Sequence, residues 1–205
     1  MRLLFVIWLA GCAMATERTA NDANGSGTDG SPHDGPPGGS CTMAKTGVLA
    51  SWSFASQPGN QASTPAATSA PGLVAGDVTR APALTAVTGT NSMNSATWPS
   101  ATMLDSTKYY AFAVTPPAGC VLDLTSASID AFASGTGPQS AVIAASTDNF
   151  ALTKPVMTSA PSTPTITTVT AAPGKVELRI YGYNASSTSG TLRLQNTLSL
   201  TGSLR

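Results

Sequence analysis

The stretch Leu192-Arg193-Leu194-Gln195-Asn196-Thr197-Leu198-Ser199-Leu200-Thr201-Gly202-Ser203-Leu204 decides the fold class. Leu192, Leu194, Leu198, Leu200 and Leu204 all fall on even numbers, while Arg193, Gln195, Thr197, Ser199, Thr201 and Ser203 fall on odd ones. Successive side chains of a strand point to opposite faces. The stretch therefore reads as β-structure with one face in a core and the other in water.

The same period of two recurs upstream. Val176, Leu178 and Ile180 predict a strand, as do Ala141, Ile143 and Ala145, and Ile166 with Thr168. Tyr110, Phe112 and Val114 predict another, stopped by Pro116-Pro117-Ala118-Gly119 because proline cannot donate to a ladder. At the start of the domain Val48, Ala50, Trp52 and Phe54 alternate with Leu49, Ser51 and Ser53, placing two aromatics on one face. Leu122 and Leu124 share a phase that Ile129 does not, so a bulge or bend is expected around Thr125 or Ser126. No window of adequate length carries helical spacing. The expectation is an all-β, antiparallel two-sheet β-sandwich, jelly-roll-like, over residues 43–205.

Composition agrees. Charged residues make up 10% of the chain, against about a quarter in ordinary soluble domains. Short hydroxyl side chains take their place, which suits a polar sheet face rather than long polar helices. The formal net charge is +0, so no single-sign field exists to gather nucleic acid.

Residues 1–11 have the form of an export leader: Arg2 supplies positive charge and Leu3 to Ala10 an apolar run too short to span a bilayer. Leu9-Ala10-Gly11-Cys12 resembles the lipobox of bacterial lipoproteins. The resemblance implies cleavage before Cys12, lipidation of its thiol, and a lipid bilayer as partner. Ala13, where an Asp would favour inner-membrane retention, implies the outer membrane. The alternative is an ordinary secretory leader cut near Ala13 or Ala15, giving a free protein.

Residues 12–42 then read as the lipidated Cys followed by a disordered linker, AMATERTANDANGSGTDGSPHDGPPGGS, with almost nothing to bury. His33, the chain's one histidine, falls in this linker. Cys41 and Cys120 remain; outside the cytoplasm they could pair, closing a loop of about 80 residues. Alternatively Cys120, in phase with Leu122 and Leu124, packs as a small buried hydrophobe.

From about Leu49 onward the chain resembles a jelly-roll-type domain of secreted and surface-anchored bacterial proteins. Trp52-Ser53-Phe54, Val78-Thr79-Arg80, Asn91-Ser92-Met93-Asn94 leading to Trp98, Tyr109-Tyr110, Gly135-Thr136-Gly137-Pro138, Tyr181-Gly182-Tyr183-Asn184 and Gly190-Thr191-Leu192-Arg193-Leu194 carry it. The resemblance implies the fold and no common activity. Ser53 stands where an acid is expected, as does Gln195 before Asn196, so any metal those acids would serve is in doubt.

Without a histidine, the domain cannot assemble a Ser-His-Asp relay. Asp77, Asp105, Asp123, Asp130, Asp148 and Glu177 could supply a carboxylate pair for glycoside chemistry, but their spacing singles out none. Asp105 and Asp148 read more simply as turn residues. Asp130 is the one acid placed to assist calcium, with a solvated strand end as its plainer role. Glu177, Arg179, Tyr181 and Tyr183 form an outward stripe suited to stacking and bonding sugars, joined by Trp98, or else lie covered as a second packing face. No cofactor is implied. The expected function is a membrane-anchored envelope lipoprotein with a non-catalytic module binding carbohydrate, matrix or protein. A glycan-acting enzyme with paired carboxylates and a purely structural surface protein are the alternatives.

Overall fold

The computed structural model describes residues 41–205, and its only helical element among them is a single 3-10 turn at Ser146–Asp148. The leader, Cys12, the linker and His33 lie outside the described residues. In chain order the strands are β1 (Lys45–Ser53), β2 (Pro58–Gly59), β3 (Ser63–Thr64), β4 (Ala66–Ser69), β5 (Val74–Ala75), β6 (Val78–Arg80), β7 (Thr85–Val87), β8 (Ser92–Ala96), β9 (Tyr109–Thr115), β10 (Leu122–Ala133), β11 (Pro138–Ala145), β12 (Lys154–Val156), β13 (Pro161–Ser162), β14 (Val176–Ala185), β15 (Leu192–Gln195) and β16 (Thr197–Leu204).

They form two sheets. The first has nine strands, ordered β2-β8-β15-β10-β16-β1-β4, with β13 on β10 and β7 on β8. The second has seven, ordered β12-β11-β14-β9-β6-β3, with β5 on β9. All pairings are antiparallel except β2 with β8. The long strands are shared between the sheets, β1, β10 and β16 in the first and β9, β11 and β14 in the second, so the chain crosses repeatedly from one layer to the other. The expected sandwich is the observed architecture.

Side chains from the two inner faces meet in one core. Trp52 of the first sheet packs edge-on against Phe112 of the second, 5.1 Å between centroids, and its indole N–H donates to Gly76 O at 2.8 Å. The Tyr110 hydroxyl donates to Leu192 O at 2.6 Å, tying β9 to β15 across the layers. Leu192, Leu194, Leu198, Leu200 and Leu204 are all buried, so the even phase holds. Each such side chain contributes roughly 1.5–3 kcal/mol of burial.

The sequence shows one continuous alternation where the structure has a break. Asn196 takes φ 54, dividing β15 from β16 without disturbing the phase, and both strands pair with β10. The expected irregularity in β10 is present as a register shift between Leu124 and Ser126. A second shift, between Val48 and Ala50, overturns one expectation: Leu49 is buried and Val48 is 54% exposed. The two shifts meet β16 at adjacent steps, the β1 shift opposite Leu200–Thr201 and the β10 shift opposite Thr201–Gly202. Glycine is required at 202 because a Cβ there would collide with the Asp123 carbonyl oxygen. Ile166 and Thr168 form no strand; Ile166 is buried and its amide donates to Thr125 O at 2.8 Å. Of the two fates open to the cysteines, the structure has the bond: Cys41 and Cys120 are joined across 79 residues.

Candidate functional site

Register dictates what the outer face of the second sheet presents. On β14 the even residues Val176, Leu178 and Ile180 are buried in the core, which turns Glu177, Arg179, Tyr181 and Tyr183 outward. Across the ladder Tyr181 pairs with Tyr109 and Val142, Arg179 with Ala111 and Ala144, and Glu177 with Ala113. Thr79 of β6 pairs with Ala111 and extends the Arg179 row.

The stripe is therefore a packed array. The Arg179 guanidinium lies 4.1 Å from the centroids of both Tyr109 and Phe150, and its Nε donates to Glu177 Oε1 at 2.6 Å. Partial burial works against its charge, but the bond to Glu177 helps outweigh this and keeps its pKa above the ordinary value. Tyr181 packs with Val142 and Ala144 in a small second cluster and stands 5.6 Å from Tyr109 in a T-shaped pair. Burial pushes its phenol pKa up, opposed by the Arg179 charge. Tyr181 is only 2% exposed and has no free ring face for a ligand; Tyr183, Glu177 and Arg179 are half-buried.

Trp98 does not join the stripe. It is fully buried, donates its indole N–H to Ser95 O at 2.8 Å, and stacks edge-on against Tyr110 at 5.4 Å. Gly182 makes this possible on the inner face of β14, since a Cβ there would come within 3.0 Å of the Trp98 ring. Trp98 is corrected from a surface candidate to a core residue.

Beside Glu177 the outer face opens into a groove of about 330 Å³ lined by Val74, Asp77, Thr79, Ala113, Lys175 and Glu177 among others. Its floor is small because β9 presents Ala111 and Ala113 there. Gly76 and Asp77 interrupt β5 and β6, which pair with β9 on either side of them. Asp77 Oδ2 accepts from the Ser63 hydroxyl at 2.7 Å. Sequence reasoning placed Glu177 in the stripe and named Asp77 as one of six acids without assigning it a partner; it missed Lys175, Tyr109 and Phe150, which three-dimensional pairing brings near them. Only the outward phase of β9 could have pointed to Tyr109.

The other acids are occupied locally. Asp105 Oδ1 accepts from the Thr107 hydroxyl and amide, and these bonds hold its carboxyl below the ordinary value. Asp148 Oδ2 accepts from Leu152 N at 3.3 Å. Asp130 takes the side-chain amides of Gln195, at 3.2 Å, and Asn196. Among the described residues no three His, Cys, Asp or Glu side chains gather as a metal site.

No protein-family model, curated protein sequence or solved structure matches this chain.

Proposed function

We propose that this chain is a lipid-anchored envelope protein, held at the outer membrane through acylated Cys12, whose sandwich binds a surface polysaccharide without altering it. The observation that supports the binding role is the Glu177 carboxylate, fixed by an Arg179 clamped between two aromatic rings and facing the groove. An oriented carboxylate beside hydroxyl and amine donors, over a small apolar floor, meets the mixed character of a sugar ring. A glycan array probed with residues 41–205, followed by titration of Glu177→Gln, tests it: a hit weakened by the substitution supports the role, and an empty array removes it. Mass spectrometry of the cell-expressed chain tests the anchor, which fails if residue 12 carries no acyl chains.

A second reading draws on Asp77 and Glu177 lining the same groove, as glycoside cleavage uses two carboxylates. Release of reducing ends from a bound polymer, abolished in Glu177→Gln, would replace binding with hydrolysis.

A further inference from the structure

We infer that the groove beside β14 selects a neutral, hydroxyl-rich sugar over a uronate or an amino sugar; this rests on the polysaccharide reading above. The charges around it balance: Asp77 and Glu177 are offset by Lys175, which lines the groove, and by Arg179, bonded to Glu177. A uronate would set a third carboxylate against two, and a protonated amino sugar a third cation against two. Either would leave a charge poorly paired in a partly enclosed site.

The carboxylates are also oriented. Asp77 Oδ2 is taken by Ser63 and Glu177 Oε1 by Arg179, so each acid has its other oxygen to offer to a ligand hydroxyl. Thr79 and Thr115 add hydroxyls at the walls, and Ala111, Ala113 and the 66% exposed Val74 supply apolar surface for the C–H face of a ring. About 330 Å³ lies at the small end of ligand pockets, typically about 300–1,000 Å³, and suits one or two rings rather than a long subsite array.

Calorimetric titration of the full chain with a neutral glucan, polygalacturonate and chitosan tests this, alongside Asp77→Asn and Glu177→Gln. Each substitution is expected to weaken neutral-glucan binding roughly tenfold, since a hydrogen bond to a charged acceptor becomes one to a neutral amide. Binding should also change little between low and high salt, because no net charge is neutralised. Retention of folding is checked by circular dichroism, and Asp105→Asn, which does not line the groove, serves as the unaffected control. Tighter binding of either charged polymer, or neutral binding untouched by both substitutions, overturns the inference while leaving a polysaccharide-binding role. Absence of binding to any polymer overturns that role and the inference with it.

Discussion

The Asn196 side-chain amide donates to the Asp130 carboxylate across the point where β15 gives way to β16. Asn196 stands at φ 54, and its own carbonyl accepts from Phe54 N at 2.9 Å, so one residue joins three strands. Asp130 is 8% exposed, and removing its carboxylate strands two amide donors. Asp130→Ala is predicted to cost about 1–3 kcal/mol, read as a lowered denaturant midpoint. Because both oxygens already have protein partners, added calcium or EDTA should leave the melting temperature of the wild-type domain unchanged. A calcium-dependent rise would show that the acid serves a metal after all.

Arg80 reaches from the second sheet to Ser95 and Asn94 of the first and has no ion-pair partner among the described residues. Its Nε donates to Ser95 Oγ, its Nη1 to Gln61 O at 2.6 Å and its Nη2 to Gly59 O at 2.9 Å. Burial lowers its pKa. Lysine carries one nitrogen and cannot span this fork. Arg80→Lys is predicted to lose about 2 kcal/mol or more by chemical denaturation. A lysine variant as stable as the parent would show that the carbonyls find other donors.

The Cys41–Cys120 bond closes 79 residues and so restricts the unfolded chain. In the chain-entropy picture such a loop is worth about 4 kcal/mol. Cys41→Ser, or reductant, should lower the melting temperature markedly without changing the far-ultraviolet spectrum at room temperature. Thiol titration of the denatured, unreduced domain should find neither Cys41 nor Cys120 free.

Tyr110 is wholly buried and Tyr181 nearly so, and burial raises both phenol pKa values above the ordinary 10.0. The folded state therefore retains these protons when the unfolded chain has begun to release them. Stability is predicted to be intact below about pH 10 and to fall as pH rises through the folded values. Tyrosinate absorbance followed with circular dichroism should show a late phase coincident with unfolding. Complete ionisation of all tyrosines in a still-folded domain would contradict it.

Fold class was legible because a buried face leaves a periodic mark in the chain, clearest from Leu192 to Leu204. Phase slips were legible only when large residues flanked them: Leu122, Leu124 and Ile129 disclosed one, whereas Val48 and Leu49 are both aliphatic and concealed the other. The outward phase of Glu177 to Tyr183 could be read from β14 itself. Its surroundings could not, since Tyr109, Phe150 and Asp77 reach it from other strands and turns through ladder pairing. Trp98 misled because an indole in an Asn-rich stretch looks exposed unless the hollow at Gly182 is known.

The disulfide also decides how tension passes through the molecule. A pull arriving from the N-terminal side at Cys41 crosses directly to Cys120, two residues before β10. Everything from β1 through β9 then belongs to a covalently shut ring that such a pull cannot lengthen. That ring holds Val74, Asp77 and Thr79, so that side of the groove is not drawn out along the chain by a drag that starts to peel the remaining strands apart.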